Sequence, residues 1–173
     1  MRCFISIDIP EKVREEIKRI QNNLPEFFGK KTESENLHLT LKFLGEIDEE
    51  KMEKVKEKLK SVSFNKLETE IDSIGVFSEK FVRIVWLHLS GMEELQKQVD
   101  EKLDKLFQPE QRFMSHLTIA RVKSVRDRDK FLQELSKIKI ENINFVVDKF
   151  RLKKSILTPE GPVYEILEEY KLD

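Results

Sequence analysis

Apolar and polar residues alternate from Arg2 to Asp8. Cys3, Ile5, Ile7 and then Ile9 lie on one side, with Arg2, Phe4, Ser6 and Asp8 on the other. A period of two predicts a strand. Pro10 then opens a helix, where its missing N–H is harmless. Val13, Ile17, Ile20 and Leu24 fall at helical spacing, and Pro25 stops it. Residues 26–36 read as a Lys-bearing loop with Gly29. Residues 37–44 are a strand, with Leu37, Leu39, Leu41 and Phe43 on one face and His38, Thr40 and Lys42 on the other. Asp48 is the expected N-cap of a helix that turns Met52, Val55 and Leu59 inward. Residues 66–77 form a strand in which Gly75 suits a bulge, and 81–89 form another. Ser90 caps a helix carrying Met92, Leu95, Val99, Leu103 and Leu106, and Pro109 marks its end. The pattern continues with a strand over 114–122, a helix over about 127–137 with Phe131 and Leu135 on one face, and strands near 140–153 and 162–170. The turn Thr158-Pro159-Glu160-Gly161-Pro162 separates the last two.

The order repeats. Strand, helix, strand, helix, strand over 2–77 is matched by the same series over 81–153, and this predicts an internal repeat of architecture. The fold class expected is α+β. One domain over 1–173 is built from two pseudo-symmetric lobes, roughly 1–78 and 79–173, with strand exchange between them allowed. Antiparallel sheets would line a central cleft, with helices on the outer faces.

The repeat aligns two short sequences. His38-Leu39-Thr40-Leu41 and His116-Leu117-Thr118-Ile119 share the pattern His-x-Thr-aliphatic, and they hold two of the three histidines in the chain. In a strand, His and Thr two apart share one face, roughly 6–7 Å apart, with the aliphatic residues behind. Two imidazoles facing one cavity can serve as general base and general acid, because each can hold or lack a proton near neutral pH. Two hydroxyls can donate to an oxyanion between them. The set suits in-line attack at phosphorus.

These tetrapeptides resemble the paired motifs of the two-histidine phosphoesterase superfamily. Arg2-Cys3-Phe4-Ile5-Ser6-Ile7 resembles the opening strand of its bacterial and archaeal branch, and Lys42-Phe43-Leu44-Gly45 resembles the continuation of the first motif. That branch is the RNA 2′,3′-cyclic phosphodiesterases, historically called 2′-5′ RNA ligases. The resemblance implies the bilobal α+β fold and hydrolysis of an RNA 2′,3′-cyclic phosphate end to a 2′-phosphate. His38 would be the proton donor, His116 the proton acceptor, and Thr40 and Thr118 the phosphate-binding pair. Implied substrates are RNA 3′ ends or tRNA fragments bearing the cyclic phosphate, and cyclic nucleotides. Reversible 2′-5′ ligation and a non-catalytic module that binds nucleotides or RNA ends are the alternatives.

Other residues are candidates for substrate contact. Arg121 closes the second motif and could pair with phosphate, although strict alternation puts it on the face opposite His116. Lys42 shares the His38 face. Phe4 could stack a base or fill the core. His88 lacks a Thr two residues on and is set aside. No metal-ligand spacing and no Gly-rich phosphate loop are present, so acid–base chemistry without metal or cofactor is expected.

Charge limits the partners. Lys and Arg number 32 against 33 Asp and Glu, a net charge of −1. That argues against coating long nucleic acid by bulk electrostatics, but it allows one RNA end in a local basic cleft. Cys3 stands alone, which fits a reducing compartment. The N-terminus turns polar too soon for a signal peptide, and no apolar run reaches membrane length. A cytoplasmic monomer is expected.

Overall fold

A computed structural model describes all residues, 1–173. Nine strands and four helices follow in the order β1 (Arg2–Asp8), α1 (Glu11–Asn22), β2 (Phe28–Lys31), β3 (His38–Glu46), α2 (Glu49–Leu59), β4 (Leu67–Val76), β5 (Ile84–Leu89), α3 (Glu93–Lys102), β6 (His116–Ser124), α4 (Arg128–Ser136), β7 (Ile143–Val147), β8 (Lys149–Thr158) and β9 (Gly161–Lys171). One helical turn, Ser34–Asn36, precedes β3. Asp48 and Asp127 cap α2 and α4, each accepting from the backbone N–H three residues on. Ser90 does not cap α3. Its hydroxyl takes the N–H of Glu70 instead, and α3 starts without a side-chain cap.

All strands join one antiparallel sheet in the order β7-β4-β5-β6-β3-β1-β8-β9, with β2 added beside β6. The architecture is α+β. The motif strands β3 and β6 are neighbours at the centre, where they pair only at Leu39 opposite Leu117. To either side lie β1-β8-β9 and β5-β4-β7. Chain order and sheet order therefore disagree. β4 follows β3 in sequence but pairs with β5, and β8 follows the second motif yet returns to β1. The helices cross in the same sense: α1 lies against β6 and β7, and α3 against β3.

The single strand expected over 140–153 is two strands, parted at Asp148. β7 pairs with β4, whereas β8 pairs with β1 and β9. The loop expected over 26–36 contains β2, whose polar residues occupy the open side of β6. Gly29 makes that pairing possible. Its φ is 153°, and a Cβ there would strike the Arg121 carbonyl. Gly29→Ala is expected to cost about 1–3 kcal/mol, read as a lowered denaturant midpoint. Gly75 is needed for a different reason than a bulge, since the Trp86 ring lies across it.

Candidate active site

The two motif strands carry the same irregularity. Both have one burial sequence, in which the first and third residues are half-buried and the second, fourth and fifth are buried. Alternation thus breaks after the fourth residue. The partner register slips at the same place: Ser6 faces Thr40 but Ile5 faces Lys42, and Trp86 faces Thr118 but Val85 faces Ala120. Each strand has a β-bulge that reverses the faces downstream.

This slip decides three of the sequence assignments. Lys42 turns away from His38 into the core, where it is only 2% exposed. It donates to Asp100 at 2.5 Å and to the Gln108 carbonyl at 2.8 Å. Its expected place at the substrate is thereby corrected: the bulge aims it at α3. Phe43 moves the other way. Expected in the core, it stands on the His38 face and is 63% exposed. Arg121 likewise gains the His116 face through the bulge, and it is exposed. Phe4 lies on the His38 face but is 3% exposed. Its ring sits 5.1 Å from that of His38, so it supports the imidazole and offers no free surface for a base.

Behind each bulge a buried polar side chain arrives from the crossing helix. Gln21 of α1 donates to the Ile119 carbonyl at 2.9 Å. Asp100 of α3 receives Lys42, the Gln96 amide and the Glu110 N–H. Backbone and charge left open by the irregular strands are satisfied in this way.

On the front face the two histidines are held alike. His38 Nδ1 lies 2.7 Å from the Asn36 carbonyl, and His116 Nδ1 lies 2.8 Å from the Met114 carbonyl. A carbonyl only accepts, so Nδ1 carries the hydrogen in both rings and Nε2 is the unprotonated nitrogen. His38 Nε2 is 3.0 Å from Thr40 Oγ1, and the hydroxyl donates to it. Leu39 opposite Leu117 brings His38 toward Thr118 and Thr40 toward His116 in an antiparallel run. The four side chains thus gather about a local two-fold axis.

Aromatic rings flank both imidazoles. Tyr164 meets His38 edge-on at 5.1 Å, and Phe77 meets His116 edge-on at 4.8 Å. Sequence reasoning missed both, because they lie on β9 and just beyond β4, far from the motifs in sequence. It also missed Trp86 and Ser6, the cross-strand partners of Thr118 and Thr40. Trp86 Nε1 and Ser6 Oγ are buried and unpartnered. His88 stands opposite His116 and is bonded to Asp72 at 2.7 Å.

Burial lowers the pKa of His38 to about 4, outweighing the Asn36 hydrogen bond, while the charge of Lys153 pushes the same way. Asp8, opposite His38, is held below its usual carboxylate value: burial works to raise it, but Lys153 and Arg151 outweigh burial. His38 is therefore neutral in the free protein at neutral pH. Above the ordinary value of 6.5 it contributes nothing to pH-dependent stability. As pH falls from 6.5 toward about 4, the unfolded chain binds a proton that the folded chain does not, and stability declines. In a proton NMR titration the His38 ring signals should move with a midpoint near 4. Bound phosphate should shift that midpoint upward, since an anion favours the imidazolium. A midpoint near 6.5 without ligand would show that the ring is solvated.

The LigT like phosphoesterase family model matches residues 7–86 and 89–164. An RNA 2′,3′-cyclic phosphodiesterase of Methanocaldococcus jannaschii is 37% identical over 98% of this chain and 100% of the relative. One from Archaeoglobus fulgidus is 38% identical over 99% and 100%. Among solved structures, Escherichia coli LigT complexed with 3′-AMP superposes with a TM-score of 0.83 at 26% identity, covering 99% of this chain and 97% of that one.

Proposed function

The chain belongs to the LigT-like phosphoesterase family, and on that footing we propose that it hydrolyses the 2′,3′-cyclic phosphate of RNA 3′ ends, leaving a 2′-phosphate. The observation that carries this reading is the matched presentation of two imidazoles, each with Nδ1 on a main-chain carbonyl and a threonine hydroxyl on the same strand face. In this reading His116 Nε2 takes a proton from water as the water oxygen bonds to phosphorus. The P–O3′ bond breaks opposite it, and His38 Nε2 delivers a proton to O3′. Thr40 and Thr118 donate to the non-bridging oxygens, and Arg121, on the same sheet face three residues beyond Thr118, adds positive charge. His38 reaches its acid form when the phosphate anion arrives and Thr40 turns from the imidazole to a phosphate oxygen. Residues 1–173 act as one unit, monomeric and cytoplasmic, on RNA or tRNA fragments with cyclic ends and on cyclic nucleotides. No helix is long and apolar enough to cross a membrane.

The test is an oligoribonucleotide ending in a 2′,3′-cyclic phosphate, incubated in EDTA and followed by phosphorus NMR. A 2′-phosphomonoester is the expected product. Binding of the RNA end without turnover would overturn the reading in favour of a binding module, and turnover lost in EDTA would overturn its metal independence.

A further inference from the structure

Beside His38, on the side away from His116, the protein has a hollow of about 420 Å³. Tyr164 forms its near wall, with one edge against the His38 ring. Asn36, whose carbonyl holds His38, is also part of it. Arg14, Arg151 and Lys153 bring three cationic groups to this hollow, against the carboxylates of Asp8 and Glu35. The carboxylate of Asp8 is already taken by Arg151 and Lys153, and Arg151 also holds Glu169.

Arg14 is different. It is half-buried on the first turns of α1 and has no ion pair, and its Nε is shut from solvent with no hydrogen-bond partner. A guanidinium is always charged, and an unpaired buried donor is costly in a folded protein. Arg14 is thus an unused, planar, multi-donor cation facing a cavity, with geometry suited to a phosphate.

We infer that this hollow is a subsite for the backbone phosphate on the 5′ side of the terminal nucleotide, with Arg14 as its principal ligand. The inference rests on the reading above, in which His38 stands at the departing O3′. In ribose, C3′ is bonded to C4′, which carries C5′ and the 5′ oxygen. C2′ is bonded to C1′, which carries the base. A ribose whose O3′ points to His38 therefore sends its 5′ phosphate to the His38 side, where the cationic hollow lies. Its base goes to the His116 side, where Phe77 is 52% exposed and rests against Trp86. The two ends of the nucleotide meet chemically matched surroundings, phosphate against guanidinium and base against aromatic rings. The site would make the enzyme favour a phosphodiester-linked end over an isolated cyclic nucleoside.

The experiment compares adenosine 2′,3′-cyclic phosphate bearing a free 5′ hydroxyl with the same compound bearing a 5′ phosphate methyl ester, which carries the single charge of an RNA linkage. In the wild type, kcat/KM should be about tenfold or more higher for the 5′-phosphorylated substrate, the range of a charge-assisted hydrogen bond. In Arg14→Gln the ratio should fall close to one, and Arg14→Lys should restore part of it. The preference should weaken with salt, with a slope of about 0.7 for the single contact. A wild-type ratio near one, or a ratio unchanged in Arg14→Gln, would overturn the subsite. Hydrolysis of neither compound would instead overturn the hydrolase reading. Calorimetry then decides the subsite separately: adenosine 5′-monophosphate should bind more tightly than adenosine to the wild type but not to Arg14→Gln, and equal binding to the wild type would overturn it.

Discussion

His116→Ala and His38→Ala should each lower kcat for cyclic-phosphate hydrolysis by about 10²–10⁴-fold, the usual contribution of one general acid or base. If the proposed reading holds, affinity for the 2′-phosphate product should change little, because the threonine hydroxyls and Arg121 remain. The two losses should not add. Once one proton transfer is missing the other cannot act in concert with it, so the double variant should be little worse than either single one. Both variants should fold, since each imidazole is only half-buried and its main-chain partner can turn to water. The readout is steady-state kinetics beside a binding isotherm. Loss of affinity equal to the loss of rate would mean that the histidines bind substrate without moving protons.

Asp100→Ala should be the most damaging of the substitutions away from the cleft, lowering stability by about 3–5 kcal/mol, as when one partner of a buried ion pair is removed. Lys42 is almost fully enclosed, and Asp100 is its closest counter-charge; Glu110 lies at 3.8 Å and is partly exposed. Without Asp100, the Gln96 amide and the Glu110 N–H also lose their acceptor. At about 2–4 °C per kcal/mol for a chain of this size, Tm should fall by roughly 10 °C. The double change Lys42→Met with Asp100→Leu should recover most of that, because it leaves no buried charge. The Asp100 carboxyl is held below its ordinary value: burial works to raise it, but Lys42, the Glu110 N–H and Gln96 outweigh burial. Its contribution is therefore complete above the unfolded value of 3.8 and is lost as pH falls below it. Denaturation curves of the single and double variants check the argument. A double variant as unstable as Asp100→Ala would show that the damage lies in packing.

The period-two pattern located the motif strands and placed His38 with Thr40 and His116 with Thr118 on shared faces. It could do so because four residues of regular strand need no information from elsewhere. It failed at the fifth residue of each motif strand. A bulge is chosen by what waits behind the strand, and for Lys42 that is Asp100, 58 residues later. Regular alternation therefore places Lys42 and Phe43 on each other's faces, while Arg121 reaches the His116 face by the same slip. Strand neighbours were no more legible. Alternation says that β4 is half-buried, but not that it lies beside β5 instead of β1. Tyr164, Phe77 and Trp86 read as ordinary strand aromatics, and only the sheet order brings them to the imidazoles. In the sequence, Arg14 is one more charged residue between Val13 and Ile17 of a helical pattern. Its lack of a partner shows only in three dimensions.

The exchange of strands also sets when this chain can fold as it is made. β1 is synthesised before β3 and β8, its two neighbours in the sheet. Cys3 and Ile5 face Lys154 and Leu152, about 150 positions later. A ribosome adds about 5–20 residues per second, so the nascent chain exposes one edge of β1 for seconds before β8 emerges. The helix meant to back β3 also comes from the second half of the chain. Contacts of such long sequence separation slow folding, and an unpaired strand edge is open to other chains. The N-terminal strand thus waits longest for its second neighbour, and truncation before β8 leaves β1 with one edge unpaired.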